Sequence, residues 1–285
     1  MERGYMERTR FHGKAQVYDQ ARPGYPQEAV RYVASLMPAE ATVSDVGAGT
    51  GKFTVSLAAS GVGARAGIRM IYAVEPDSDM RTALAENVVA WPNVTVVDGS
   101  AAHTTLPDDS VDVITCAQSL HWFDHDEFLK ECARIGRGGR VLLISLYNVT
   151  SFDSAMTART NSDHFGADLA GGANGPSDSD AAGTAAAGTA ALAAIPDVSV
   201  SGRHFRRTVA EFFDAPTIRV FPNPIRYTRD GWRAYMDSHS HSPLPNDPGY
   251  AAFRTQVDAI FDMRAVDGIM TDDTTTMIAS EWLTW

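Results

Sequence analysis

The sequence predicts an α/β fold, a doubly wound and mostly parallel sheet of seven strands with a helical cap or insertion. Two observations carry that expectation. Short apolar runs alternate with amphipathic helical runs over residues 42–146, the order that builds a parallel sheet covered on both faces. The first strand also runs straight into a glycine-rich turn, Gly47-Ala48-Gly49-Thr50-Gly51, ahead of a helix.

The elements read as follows. Pro26 suits the first turn of a helix, carried on by Val30, Val33, Ala34 and Met37 and stopped by Pro38. Strands are expected at Thr42 to Val46, Met70 to Val74, Val94 to Val97, Val111 to Cys116 and Val141 to Leu146. The last of these is apolar throughout, as a strand buried on both faces should be. Helices lie between them. One carries Phe53, Val55, Leu57 and Ala58. Another is capped by Asp77 and carries Met80, Ala83, Leu84 and Val88. A third opens on the Asp124/Glu127 pair and carries Phe128, Leu129 and Cys132. After Tyr147 the pattern changes. Residues 166–196 are dominated by Ala, Gly, Ser, Thr and Asp, too poor in large apolar residues to recover their ordering entropy by burial. Helical pattern returns at Val209 to Phe213, a strand broken by Pro222 and Pro224 runs from Thr217 to Thr228, and helices follow at Trp232 to Met236 and Tyr250 to Met263. Thr274 to Trp282 returns as a final strand. The expected division is 1–146, 147–216 and 217–285: a lid segment with a cofactor-binding core, an insertion, and a completion of the sheet and substrate pocket.

Composition excludes several classes. The 285 residues are 44% hydrophobic and carry a net charge of −11, which opposes a phosphate-neutralising role and with it nucleic acid as partner. No apolar window is long enough for a membrane span, and the charged start Met1 to Lys14 does not read as a signal peptide, so a cytoplasmic protein is expected. Cys116 and Cys132 match no zinc spacing and read as small buried residues. His239 and His241 lack the acidic or thiol partners a metal site needs, and no metal is expected. His12 and His103 read as surface residues. The composition leaves the oligomeric state open.

The glycine turn is G-x-G-x-G rather than the dinucleotide G-x-G-x-x-G, and Asp45 precedes it by two positions. A carboxylate there suits a cationic ligand and repels a pyrophosphate. Glu75, at the tip of the second strand, is placed to read ribose hydroxyls. With Val74-Glu75-Pro76-Asp77, Gly99-Ser100-Ala101 and Leu106 to Asp112, the chain resembles the class I S-adenosylmethionine-dependent methyltransferases, whose fold is Rossmann-like. Tyr18 to Pro26 and Ser119 to Asp124 are similar to the small-molecule branch that includes trans-aconitate methyltransferases.

That resemblance implies S-adenosyl-L-methionine as cofactor and a small-molecule methyl acceptor. It puts Gly47, Ala48, Gly49 and Gly51 along the methionine part, with Asp45 near the ammonium. It sets Glu75 on the ribose and Pro76, Asp77 and Met80 beside it. Ser100 and Ala101 meet the adenine, where Ala102-His103 replace the acid common in the family. Tyr18 and Arg22 fold over from the N-terminal segment, and Gln118, Ser119 and His121 face the acceptor. His121 reads as pocket-wall packing or, as the second choice, as a general base. Phe205, Phe212, Phe213, Trp232, Tyr235 and His239 are candidates for the acceptor pocket, or core of their own helices. An NAD(P)-dependent oxidoreductase, a cofactor-binding protein without catalysis and a macromolecule methyltransferase stay open as alternatives. The glycine spacing and Asp45 oppose the first.

Overall fold

The computed structural model describes residues 15–60, 67–151, 199–239 and 242–285. The low-complexity stretch 166–196, His12 and His241 lie outside the described residues.

Two helices open the described chain, α1 (Ala15–Ala21) and α2 (Gln27–Leu36). Pro26 stands just before α2 as its N-cap rather than inside its first turn. The alternating region then gives β1 (Ala41–Val46), α3 (Lys52–Ser60), β2 (Ile68–Val74), α4 (Ser78–Asn87), β3 (Val94–Val97), β4 (Val113–Ala117), a short 3-10 turn (Leu120–Trp122), α5 (His125–Ile135) and β5 (Arg140–Val149). Asp77 caps α4 by accepting from the backbone N–H groups of Asp79 and Met80, and Asp124 caps α5 by accepting from Glu127 N. Both caps sit where the sequence places them. After residue 198 come α6 (Val200–Phe212), β6 (Thr217–Pro222), β7 (Ile225–Tyr227), α7 (Arg229–Asp237), α8 (Tyr250–Arg264), β8 (Met270–Asp272) and β9 (Thr275–Thr284).

Seven strands form one sheet in the order β3-β2-β1-β4-β5-β9-β6. The first five are parallel, and β9 runs antiparallel to both neighbours. The strand expected across Thr217 to Thr228 is two strands. Pro222 ends β6, and β7 leaves the main sheet to pair with β8 in a separate two-stranded ribbon. A proline has no N–H for a ladder, so the break falls where the chain cannot pair further.

Every residue of β1 is buried, because helices cover both faces of the sheet. On one side Ala29, Val30 and Val33 of α2 and Phe53 and Leu57 of α3 pack against Val43, Ile71 and Ile144. On the other, Phe128 and Cys132 of α5 and Phe205, Val209 and Phe212 of α6 pack against Ile114, Leu143 and Tyr147. The cap has its own core. Trp232 and Tyr235 of α7, Phe253 and Val257 of α8, Tyr227 and Met270 cluster together, and Trp232 donates its indole N–H to the carbonyl of Val257 at 2.9 Å. Among the described residues no helix is long and apolar enough to cross a membrane.

Trp232 is fully buried and hydrogen-bonded, so truncation removes both packing and a donor. Trp232→Ala should cost about 3–5 kcal/mol, measured by urea unfolding monitored by circular dichroism. A loss below about 1 kcal/mol would contradict this account of the cap core.

Candidate active site

The order of strands reverses between β1 and β4, and in an open α/β sheet ligands bind in the crevice at such a point, outside the carboxyl ends of the strands. The glycine turn sits there. Gly47, Gly49 and Gly51 have φ of +70°, +58° and +87°, the left-handed region that side chains disfavour. Gly47 N and Ala48 N both donate to the carbonyl of Val74, which ties the turn to the tip of β2.

The three glycines differ in what surrounds them. A Cβ on Gly47 would lie 2.6 Å from Ser119 Cβ, and one on Gly51 would lie 2.5 Å from Leu84 Cδ1. These two let the turn pack against the β4 loop and against α4. Among the described residues, a Cβ on Gly49 would meet nothing within 4 Å. Its Cα faces open space, as a backbone that a ligand approaches closely should.

Two buried carboxylates hold this turn. Asp45 is fully buried at the end of β1, and its oxygens accept from Thr54 Oγ1 of α3 at 2.6 Å and Thr115 Oγ1 of β4 at 2.9 Å. It thus braces the floor of the turn. Burial raises its carboxyl to about 6, against the pull of those two hydrogen bonds. Glu75 follows β2. Its Oε2 accepts from Gly49 N at 2.8 Å and its Oε1 from Asp77 N at 2.9 Å. Burial raises this group to about 7, while the two backbone N–H groups and Arg81 oppose the rise. Glu75 therefore joins the middle of the glycine turn to the start of α4.

The remaining candidates surround these two. Pro76 is half-buried beside Glu75, and Met80 is buried in the first turn of α4. Asp77 is occupied as the α4 cap. Ser100 and Ala101 are half-buried in a tight loop closed by mutual backbone bonds between Ser100 and His103. His103 itself is exposed.

The N-terminal segment reaches across. Asn87 of α4 donates to Asp19 of α1, and α7 packs along the other side of α1. The Arg22 guanidinium lies over both the Tyr18 ring (5.2 Å) and the Tyr235 ring (5.3 Å) and donates to the carbonyl of Ser238, whereas its buried Nε has no hydrogen-bond partner among the described residues. Tyr25, which the sequence reading did not single out, sits within electrostatic reach of Tyr18, Arg22, Asp45 and Tyr147, and burial raises its phenol.

Beyond β4, Gln118 adopts φ +62° and its amide reaches the carbonyl of Asn148 at 3.4 Å. Ser119 donates to the carbonyl of Val46 at 2.7 Å. His121 Nδ1 lies 2.7 Å from the Tyr147 hydroxyl, and its ring stacks on that of His204 with centroids 4.7 Å apart. The aromatic candidates divide between two cores. Phe205, Phe212 and Phe213 belong to the main core and Trp232 to the cap core. Their apolar neighbours make them core of the bodies they sit in, the second of the two readings the sequence left open. Tyr235 alone of that aromatic set faces Arg22 of the N-terminal segment. His239 packs edge-on against Tyr235, and its Nδ1 lies 3.0 Å from the Tyr235 carbonyl at the end of α7.

Residues 44–144 match the methyltransferase-domain family. An uncharacterised methyltransferase of Mycobacterium tuberculosis is 38% identical over 129 residues, which cover 45% of this chain and 48% of the relative. An uncharacterised methyltransferase-like protein of Schizosaccharomyces pombe is 36% identical over 120 residues, covering 41% of this chain and 43% of the relative. The chain thus spans about half the length of the curated relatives it matches. Over nearly the whole chain the fold is similar to that of a protein from Anaeromyxobacter dehalogenans, provisionally described as a type II methyltransferase. The TM-score is 0.55 at 20% identity, over 92% of this chain and 97% of that one. Residues 44–144, which hold the glycine turn and the buried acid at the tip of the second strand, are thus similar to methyltransferase domains.

Proposed function

We propose that the protein transfers a methyl group from S-adenosyl-L-methionine to a small-molecule acceptor. One observation carries the reading: the open face of Gly49 lies directly beside a buried carboxylate that already bonds that glycine's N–H. Such a pairing fits a ligand with an amino-acid portion along the turn and a hydroxylated ribose against Glu75.

The residues present fit the cofactor as follows. Gly47, Ala48, Gly49 and Gly51 present backbone to the methionine portion, and Asp45 sets a negative potential beneath its ammonium. Glu75 accepts from the ribose hydroxyls, with Pro76 and Met80 shaping that side. Ser100 and Ala101 border the adenine, Gln118 borders the methyl end, and Tyr18 and Arg22 close over the ligand. The unpartnered Nε of Arg22 suits a carboxylate. When bound, the sulfonium supplies an already activated methyl group for in-line displacement. The chain then has to align the acceptor and exclude water, which can supply several kcal/mol of the barrier. A base is required only for an acceptor that arrives protonated, and His121 is the candidate. The cap formed by α7 and α8, joined to the cofactor side through α1, supports a small acceptor enclosed between them. We place the enzyme in a soluble compartment, with no metal and no nucleic-acid partner.

Three outcomes test this reading. Gly49→Ala fills open space, so the fold should survive with about 1 kcal/mol of backbone strain, while calorimetric titration should show S-adenosylhomocysteine binding at least tenfold weaker; unchanged binding would remove the turn from the site. Glu75→Ala should weaken the same binding by about 1–3 kcal/mol, the cost of unmade hydrogen bonds to a charged group, and an unchanged Kd would refute the ribose assignment.

The third outcome concerns pH. Only ionised Glu75 accepts from both ribose hydroxyls, so affinity should fall as pH drops below about 7 and level off above it. The ligand-free protein responds with the opposite sign. Asp45 and Glu75 hold protons more tightly folded than unfolded, with carboxyls raised from 3.8 to about 6 and from 4.5 to about 7. Their contribution to stability is therefore present in acid and is lost as pH rises through those values. Glu75→Gln should flatten both the affinity profile and part of the thermal-midpoint profile between pH 5 and 8; profiles indistinguishable from wild type would dismiss Glu75 as the titrating group.

A further inference from the structure

Residues 19–25, which run from α1 towards α2, are held at three places around the point where the strand order reverses. At one end, Asn87 of α4 donates to Asp19 at 3.1 Å and to the carbonyl of Thr50 in the glycine turn at 2.9 Å. At the other, the carbonyl of Gly24 accepts from two side-chain amides, Asn148 Nδ2 near the end of β5 and Asn223 Nδ2 between β6 and β7, each at 3.1 Å. Next to it, the Tyr25 ring packs edge-on against Phe53 of α3, with centroids 5.3 Å apart. The glycine turn follows β1, and β4 lies between β1 and β5 in the sheet. A strap tied both to the turn and to the end of β5 therefore passes the carboxyl ends of β1 and β4, where the crevice opens.

Asn148 is buried, and its amide is engaged at both ends. A carbonyl only accepts, so the NH2 of Asn148 faces Gly24 and its Oδ1 faces the other way. There Oδ1 accepts from Thr276 Oγ1 of β9 at 2.6 Å and from Asn223 Nδ2 at 3.2 Å. The one NH2 of Asn223 thus serves two acceptors, Gly24 and Asn148. Its backbone N–H is tied to the carbonyl of Thr274 at 2.8 Å, which fixes where that side chain starts. The main-chain carbonyl of Asn148 accepts in turn from the Gln118 amide after β4, at 3.4 Å. We propose that Asn148 is a positioning residue that, together with Asn223, latches the 19–25 strap over the crevice and holds the Gln118 side chain at the same edge. A buried amide satisfied at both ends keeps a single orientation, and loss of either partner leaves a buried polar atom unpaired. That the strap covers S-adenosylmethionine rests on the methyl-transfer reading; the latch does not.

The test is hydrogen–deuterium exchange of the full chain without ligand, read by mass spectrometry. Asn223→Ala removes one donor to Gly24 and leaves the bond between Asn148 and Thr276 in place, so the fold should survive. Asn148→Leu keeps the side-chain volume and removes every bond of the amide. Exchange in residues 15–26 should rise about threefold in Asn223→Ala and about tenfold in Asn148→Leu, since local opening then breaks fewer bonds. In Asn223→Ala, residues 41–46 of β1 should exchange as in wild type, which a general loss of stability would not allow. Wild-type exchange at residues 15–26 in Asn223→Ala, or a rise shared equally by residues 41–46, overturns the latch, and this variant decides by itself if Asn148→Leu does not fold. S-adenosylhomocysteine passed over immobilised wild type and Asn223→Ala in surface plasmon resonance keeps the two readings apart, with release from the variant expected to be about threefold faster. Failure of wild type to bind it would count against the methyltransferase reading alone, whereas binding with an unaltered release rate would count against this proposal alone.

Discussion

The Glu75 carboxylate is the joint on which the site is built. One oxygen accepts from Gly49 in the middle of the turn and the other from Asp77 at the start of α4. A buried acceptor binding two backbone donors fixes the distance between the first two strand tips, and that distance is the width of the crevice. Burial penalises the charge, and the two bonds offset part of the penalty. The carboxyl consequently sits near neutrality, a tension that a ligand bringing further hydroxyl donors relieves. The same group is thus the scaffold of the site and, in the proposed reading, also the receptor for the ribose.

Asp45 shows the complementary arrangement. Its bonds run to two side-chain hydroxyls, on α3 and on β4, rather than to the ligand face. An acid at that position reads in the sequence as a partner for a cation. In the structure it is also the brace that locks three elements under the turn. A negative charge held rigid below an open backbone face favours a cation above it without direct contact, since low-dielectric surroundings weaken screening. The carboxylate can therefore brace the turn and bias what binds over it.

The first half of the chain was legible because each signal there is local. Alternating apolar runs gave the strands, Asp77 and Asp124 gave the caps, and the glycine spacing gave the turn. What local pattern does not show is long-range pairing. That β9 slots between β5 and β6, or that β7 leaves the sheet for β8, depends on partners more than forty residues away. The aromatic residues illustrate the same limit. Phe205 and Trp232 look alike in sequence, each an aromatic on an amphipathic helix. Only the fold assigns one to the main core and the other to the cap. The meeting of Arg22 with Tyr235 joins residues 213 positions apart and has no local signature.

That meeting also explains how the two cores act together. The main sheet and the cap each bury their own apolar cluster, so neither needs the other for its packing. One link between them is α1, bonded to α4 through Asp19 and packed on α7, with Arg22 between Tyr18 and Tyr235; another is Ser151, just after β5, which donates twice to Asp272 of β8. These contacts are polar or cation–π and far weaker singly than either core. A weak joint between two stable bodies can open to admit a ligand and close again without unfolding either one. Asn87 bonds both Asp19 of α1 and the carbonyl of Thr50 in the glycine turn, so this joint borders the turn itself.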